Sequence, residues 1–182
     1  HRELKNHFTP MIKEDLLNHT CNQEVLNQIA SIKKIYSKDF KPQVNPREVN
    51  LFFLQNGLRS RIMKIENGYR LDGSNQFFSF EEMVDKVDQN PEKFSPNVLL
   101  RPLYQELILP NIAYLGGGGE LAYWLELKSF FDSQKLLFPI LCMRNMALIV
   151  PEKSAKKIRN LKLDLGDLFL ERNALINKKV RQ

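Results

Sequence analysis

The chain has 182 residues, 43% of them hydrophobic, and carries a formal net charge of +6 at pH 7. This length suits one domain and this hydrophobic content supplies a normal core, so the composition excludes a disordered chain. Membrane spans are excluded as well, because no apolar run approaches the roughly 20 residues that a spanning helix needs. The first residues, HRELKNHF, also lack the apolar stretch of a signal peptide.

The two cysteines, Cys21 and Cys142, lie far apart in sequence and show no CxxC or histidine spacing. This pattern predicts neither a zinc site nor a disulfide framework, and it favours a reducing cytoplasm. The basic residues are scattered except for a cluster at 153–159. Such a face is more often solvated than bound to nucleic acid, and the positive charge is equally suited to attracting small anionic substrates.

Residues 1–40 predict a helical segment. Pro10 suits the first turn of a helix over 10–18. Thr20 and Gln23 have the spacing of a capping box, and apolar residues follow them at helical spacing, which predicts a second helix over 21–37.

Residues 41–78 have a different character. Runs rich in aromatic and branched residues end at Asn56-Gly57, at Asn67-Gly68 and at Gly73. Asn-Gly between such runs is the strongest short hairpin signal. We therefore predict a small antiparallel β meander, inserted into an α/β body.

Two helix starts follow the meander. Ser79 and Glu82 form a second capping box, for a helix that ends near residue 88. Ser95-Pro96 has the residue types of an N-cap and a first helical position. Pro102 predicts that the helix breaks or restarts at Arg101, which leaves this arginine free to point into a site.

The predicted α/β body covers residues 79–163 and is organised around four consecutive glycines at 116–119. The run 112–115 predicts a strand before them, and 120–131 predicts a helix after them. A strand that enters a glycine turn and opens a helix presents free backbone N–H groups at the positive end of the helix dipole, which suits an anion. GGGGE matches neither the dinucleotide fingerprint nor the P-loop, so a flexible turn without a ligand stays open as the alternative.

Apolar runs predict two further buried strands, at 136–142 and 147–150. Strand, helix and strand in this order predict a parallel βαβ unit with the glycine turn at the carboxyl end of its first strand, where open parallel sheets bind ligands. From residue 151 onward the chain reads as helical and basic, and 164–182 reads as the start of a C-terminal helix.

Leu121, Trp124 and Leu125 follow a helical stripe and are predicted to lie in the core. No Ser-His-Asp or Cys-His nucleophile set is visible, and all three histidines fall within the first twenty residues. Glu106 and Glu120 are the candidate acid–base groups. A carboxylate at the start of a helix is stabilised as the anion, so Glu120 suits an amine ligand or a helix cap.

Three segments carry a resemblance to a known family: NPREVNLFFL (45–54), SPNVLLRPLYQELILPNIAYLGGGGELAYWLELK (95–128) and PILCMRN (139–145). They closely resemble the bacillithiol biosynthesis cysteine-adding enzymes, a family of bacterial cysteine ligases, and the resemblance runs over essentially the whole chain. It implies that this chain is the middle of a longer protein. The family's glutamine- and glycine-rich N-terminal motif and its C-terminal coiled coil are not in this sequence.

The resemblance implies an enzyme that joins cysteine to glucosaminyl-malate through an amide bond. It implies a Rossmann-like body similar to class I aminoacyl-tRNA synthetases and a homodimer formed through the coiled coil. Activation of the acid commonly uses ATP, but no residue here identifies a site for ATP or ADP. We expect no metal, no membrane partner and no nucleic-acid partner.

Residue type and motif match together give the candidate substrate-binding residues Arg47, Asn50, Arg101, Gln105, Glu106, Tyr114, Gly116, Gly117, Gly118, Gly119, Glu120, Tyr123 and Arg144. Backbone N–H groups of the glycine turn suit carboxylate or phosphate oxygens. The arginines suit malate carboxylates, and the amide and tyrosine side chains suit sugar hydroxyls. Asn145 stands where the family is expected to have a small hydroxyl residue, so a serine role does not transfer. A non-catalytic α/β module that binds an anion or a nucleotide stays open as the alternative function.

Overall fold

A computed structural model describes residues 2–36 and 40–180, and the chain divides into two compact units with a boundary between Arg144 and Asn145. The first unit begins with a 3-10 helix, Arg2–Phe8, followed by helices α1 (Thr9–Leu17) and α2 (Thr20–Ile35). Both helices were predicted. The expected end of α2 at residue 37 lies outside the described residues.

The N-terminus of α2 corrects one prediction. Thr20 and Gln23 do not form a capping box: the Thr20 hydroxyl donates to Glu14 Oε2 at 2.9 Å, and Gln23 Nε2 donates to the Asn18 carbonyl. His19 precedes the helix in the left-handed region, with a φ of 54°. The spacing was right, but the tight α1–α2 turn offers these side chains other partners.

The larger sheet is antiparallel and has the strand order β4-β3-β2-β1-β5. Its strands are β1 (Leu51–Gln55), β2 (Leu58–Ile65), β3 (Gly68–Leu71), β4 (Phe77–Phe78) and β5 (Phe94–Pro96). The predicted meander is confirmed, because β1, β2 and β3 pair antiparallel in chain order, with Asn56 and Gly57 at positive φ in the first hairpin. Its buried side chains share one core cluster with α1, α2 and α3.

Helix α3 (Phe80–Gln89) starts with the predicted capping box, in which the Ser79 hydroxyl and the Glu82 carboxylate each accept from the other residue's backbone N–H. The start predicted at Ser95-Pro96 is wrong, because these residues form β5 and pair with β1. Asn97, just before the next helix, satisfies two backbone donors, because its Oδ1 accepts from the N–H groups of Leu99 and Leu100.

Helix α4 (Leu100–Ile108) therefore starts one residue before Arg101, close to the predicted restart. Pro102 lies in the first turn of α4, where backbone N–H groups have no acceptor within the helix. The N–H that proline lacks therefore breaks no helical hydrogen bond, and the helix continues through it.

The smaller sheet is a parallel pair, β6 (Ala113–Gly116) with β7 (Ile140–Met143), joined through helices α5 (Gly118–Leu125) and α6 (Lys128–Ser133). The chain is α/β and its predicted parallel strand–helix–strand unit forms, but the larger sheet is antiparallel and not the parallel sheet that the Rossmann-like prediction implied. Residues 147–150 form no strand, and Ile149 is 87% exposed. An apolar run alone does not distinguish a buried strand from an exposed segment.

The predicted single helix over 120–131 is also two helices. The buried Glu126 interrupts it and accepts hydrogen bonds from the backbone N–H groups of Gln43, at 2.7 Å, and Val44. Trp124 and Leu121 are buried as predicted, whereas Leu125 is 53% exposed and the core prediction for it is wrong.

The second unit contains α7 (Glu152–Asn160), a 3-10 helix (Leu165–Phe169) and α8 (Arg172–Val180). Asp167 links two of these elements, because its carboxylate accepts from Lys178 Nζ at 2.5 Å. Across residues 2–36 and 40–180, no helix combines the length and apolar character needed to cross a membrane.

Candidate anion-binding site

The glycine turn forms as predicted, at the carboxyl end of β6. Gly116 is the last residue of the strand, Gly117 is extended with φ −73° and ψ 161°, and Gly118 opens α5. None of these glycines has a positive φ, so backbone conformation does not require them. At Gly116 and Gly117 the reason for glycine is the limited space around a Cβ.

The space differs along the turn. A Cβ on Gly116 would lie 2.7 Å from Leu121 Cδ2, and a Cβ on Gly117 would lie 3.2 Å from Arg144 Nη2. Beside Gly118 and Gly119, a Cβ would meet no heavy atom within 4 Å. The first two glycines thus allow close packing, and the next two leave an open approach to the main chain.

The main chain at this approach is rich in donors. The first helical hydrogen bond of α5 runs from the Leu121 N–H to the Gly117 carbonyl. The N–H groups of Gly118, Gly119 and Glu120 therefore have no helical acceptor. They lie at the positive end of the α5 dipole, which favours a carboxylate or phosphate.

Tyr114, Glu120, Tyr123 and Arg101 form a polar cluster next to the turn. The Tyr114 hydroxyl donates to Glu120 Oε1 at 2.5 Å. Burial raises the pKa of Tyr114 to about 12, with further contributions from Glu120, while the charge of Arg101 acts in the opposite direction. Burial and Glu120 also raise the pKa of Tyr123, and Arg101 again opposes them. Both phenols therefore stay protonated near neutral pH.

Arg144 comes directly after β7 and also reaches the glycine turn. Its backbone N–H donates to the Gly116 carbonyl at 3.0 Å, and its guanidinium lies against Gly117. The parallel pairing of β6 with β7 is what brings this arginine to the glycines.

A basic hollow of about 450 Å³ adjoins this cluster. Its lining includes Lys5, Arg59, Arg101, Tyr104 and Tyr123. A second hollow of about 290 Å³ shares Arg59, Asn97 and Val98 with the first and adds Arg47 and Arg61. The two hollows share lining residues, and neither has an Asp or Glu among its described lining residues. We therefore refer to them together as the cationic groove.

Arg47 and Asn50 lie at the far end of this groove. Arg47 is exposed. Asn50 is 1% exposed and its amide bonds inside the fold: Nδ2 donates to the Arg47 carbonyl and to Asp15, and Oδ1 accepts from Asn97 and from the Arg47 N–H. The geometry thus makes Asn50 a brace between α1, β1 and the start of α4.

Gln105 and Glu106 lie near the end of α4, and the hydrogen bonds described for their side chains go to each other and to Asn111, not to the glycine turn. Glu106 is 4% exposed and accepts hydrogen bonds from the N–H and Nδ2 of Asn111. Gln105 donates to the same carboxylate at 3.3 Å. This carboxylate fixes the loop that leads into β6.

Sequence reasoning did not single out Lys5 or Arg59 as site residues. No local motif marks them, because the 3-10 helix, β2 and α4 meet only in the folded chain. Within the described ranges, no group of three or more His, Cys, Asp or Glu side chains is placed to hold a metal ion.

Comparisons with known proteins point to one family. Residues 1–145 match the family model described as "Bacillithiol biosynthesis BshC, N-terminal Rossmann-like domain". Proteins named "Putative cysteine ligase BshC" from Flavobacterium psychrophilum and Christiangramia forsetii are 49% and 42% identical over 98% and 100% of this chain. A Bacillus cereus protein of the same name is 31% identical over 93% of the chain. The chain spans about a third of the length of these relatives, 33%, 33% and 32% respectively.

Proposed function

The chain belongs to the bacillithiol biosynthesis BshC family, and from this premise we propose that it is the substrate-holding part of a ligase that joins cysteine to glucosaminyl-malate. The observation that carries the proposal is the open glycine turn, which adjoins a cationic groove through Arg101 and Tyr123. Such an arrangement suits a small ligand with several carboxylates.

In the proposed reaction, the sugar amine of glucosaminyl-malate attacks the activated carboxyl carbon of cysteine, an amide bond forms, the C–O bond to the activating group breaks, and the amine loses a proton. The free carboxylate must first be activated, since its oxygen is a poor leaving group. A nucleotide such as ATP would supply that activation. The turn's three free N–H groups fit a phosphate as well as a carboxylate, although the lysine and hydroxyl of a P-loop are lacking.

The residues of this chain bind and orient in the proposal. The N–H groups of Gly118 to Glu120 hold an anionic oxygen, and Arg101 and Arg144 add positive charge to the site. The protonated hydroxyl of Tyr123 suits a sugar oxygen. Glu120 is engaged by Tyr114 and holds the turn in shape. We assign no proton-transfer residue.

The proposal extends to the whole protein. We propose a body similar to class I aminoacyl-tRNA synthetases, a homodimer formed through a coiled coil outside this chain, and a cytoplasmic location. The reducing cytoplasm suits a thiol substrate, because it keeps cysteine from forming disulfides.

A non-catalytic module that holds an anion or a nucleotide is the second candidate. The same free N–H groups and cations support it, since neither requires chemistry to follow binding. Catalytic turnover separates the two candidates.

The experiment uses the complete gene product. Thermal shift is measured with glucosaminyl-malate, ATP and an oligonucleotide, because a ligand that binds only the native state raises apparent stability. We expect glucosaminyl-malate to stabilise the protein, and we expect mass spectrometry to detect the cysteinyl amide when cysteine and ATP are added. Stabilisation without any amide would favour the non-catalytic module. Stabilisation by the oligonucleotide alone would contradict both.

A further inference from the structure

The hollow in front of β5 gathers cations from three separate parts of the chain. Lys5 comes from the first 3-10 helix, Arg59 from β2 and Arg101 from α4. Three cations without an acidic residue in the described lining create a strongly positive small volume. Such a volume attracts anions and favours those that carry more than one charge.

Lys5 is the unusual member of this set. It is half-buried, its Nζ donates to the Phe94 carbonyl at 2.9 Å, and it lies 4.3 Å from the centre of the Tyr104 ring. Desolvation lowers the pKa of Lys5 to about 8, and no carboxylate among the described residues offsets it. An ammonium removed from water without an opposite charge is costly to the fold, and an anionic ligand would relieve that cost.

Arg59 is held in place before any ligand arrives. Its Nε donates to the Ser95 hydroxyl at 3.3 Å and its Nη2 donates to the Pro96 carbonyl at 3.1 Å. Its guanidinium also stacks on the Phe52 ring, with its central carbon 3.6 Å from the ring centre. A guanidinium fixed in this way loses little freedom when it binds a carboxylate through its remaining N–H groups.

Resting on the proposed function, we infer that Lys5 and Arg59 form the subsite for the malyl group of glucosaminyl-malate, with Arg101 joining this subsite to the glycine turn. The malyl group carries two carboxylates, which match the two cations. The volume of about 450 Å³ is within the range of small-molecule sites. Free malate has the same dicarboxylate chemistry, so the test includes both ligands.

The test measures the dissociation constants of L-malate, glucosaminyl-malate and glucosamine by calorimetry, using the complete gene product at low salt. Lys5→Met and Arg59→Gln are each expected to raise the dissociation constants of malate and glucosaminyl-malate at least tenfold. Lys41→Met and Arg70→Gln remove the same charges from exposed positions outside both hollows and are expected to change affinity less than twofold. Glucosamine has no carboxylate, so none of the four substitutions is expected to change its dissociation constant.

Proton uptake gives a second measurement that a structural role would not change. An anion beside Lys5 raises its pKa, so binding near pH 8 takes up a fraction of a proton, which appears as a dependence of the binding heat on the buffer. Lys5→Arg retains the charge and is expected to retain malate affinity but to lose this proton uptake. This variant also keeps the test decisive if Lys5→Met fails to fold.

The outcomes separate the inference from the proposed function. If the parent bound glucosaminyl-malate and both Lys5→Met and Arg59→Gln bound it equally well, the subsite would be wrong and the proposed function would stand. If malate binding depended on Lys5 and Arg59 while glucosaminyl-malate did not bind, the dicarboxylate site would stand and the proposed acceptor would be wrong. If the parent bound neither ligand, both would be wrong.

Discussion

The Tyr114 hydroxyl and the Glu120 carboxylate bridge the glycine turn, with 2.5 Å between their oxygens. Tyr114 belongs to β6 and Glu120 to the first turn of α5, so the bond ties the strand to the helix that follows it. The Tyr114 ring also stacks on Trp124, with 4.1 Å between ring centres. The turn is therefore shaped by its flanking residues, while its glycines leave the main chain accessible.

Tyr114→Phe is expected to lower the free energy of unfolding by about 1.5–3 kcal/mol, the usual contribution of a hydrogen bond to a charged group. The phenylalanine ring can keep the stacking on Trp124, so the change in the free energy of unfolding measures the contribution of the hydroxyl group. Urea unfolding followed by Trp fluorescence measures it. Tyr36→Phe is the control, because Tyr36 is 78% exposed, and we expect it to be neutral. Equal stability of both variants would mean that the Tyr114–Glu120 bond contributes nothing.

Gly118→Val is expected to weaken glucosaminyl-malate binding at least tenfold and to leave unfolding nearly unchanged. A Cβ at residue 118 meets no heavy atom within 4 Å, so we expect the fold to tolerate a valine there, while its methyl groups block the approach to the N–H groups. Calorimetric titration measures the affinity. Gly166→Val is the matched control, because residue 166 has the same open surroundings but lies in the second unit. Unchanged affinity in Gly118→Val would remove the glycine turn from the proposed site.

Local signals predicted the elements whose causes are local. Asn56-Gly57 and the Ser79–Glu82 box need only neighbouring residues, and both formed as predicted. Ser95-Pro96 failed because a distant strand, β1, pairs with it, and this pairing outweighs the helix-start signal.

The candidate site divides in the same way. The glycine turn follows from a strand, a turn and a helix that are consecutive in sequence, so the sequence predicted it. The cationic hollow is lined by both Lys5 and Arg101, which lie nearly a hundred residues apart in sequence. A local sequence pattern cannot predict that residues so far apart line the same hollow. Asn50 shows the converse, since its motif match did not reveal that the fold uses its amide for Asp15 and Asn97.

Arg101→Gln is expected to raise the concentration of glucosaminyl-malate needed for half-saturation about tenfold. Arg101 lines the hollow and also acts on Tyr114 and Tyr123, so its loss affects both parts of the site. The same variant should raise the pKa of Tyr123, because Arg101 lowers it in the parent, and ultraviolet titration of the phenols measures this shift. Arg70→Gln, at an exposed position of β3, serves as the control. An unchanged half-saturation concentration would place Arg101 outside the site.

Asp15 gives a prediction about pH and stability. Its carboxylate is 1% exposed, and burial raises its pKa from the ordinary value of 3.8 to about 7, although hydrogen bonds from the N–H and Nδ2 of Asn50 oppose the rise. The folded chain therefore holds a proton here that the unfolded chain has released. The stabilising contribution is complete below about pH 4, falls as the pH rises, and is lost above about pH 7.

Between pH 5 and pH 8 we expect the Asp15 contribution to the free energy of unfolding to fall by about 3 kcal/mol, since each pKa unit corresponds to about 1.4 kcal/mol. Urea unfolding of the parent and of Asp15→Asn at both pH values measures it. Asp15→Asn is expected to be less stable than the parent at low pH, because its amide nitrogen would face a donor of Asn50. Its free energy of unfolding should not show the fall between pH 5 and pH 8. Asp88→Asn, on the exposed side of α3, should retain it. Parallel slopes in the parent and Asp15→Asn would show that Asp15 is already ionised in the folded chain at pH 5, with the Asn50 hydrogen bonds outweighing its burial.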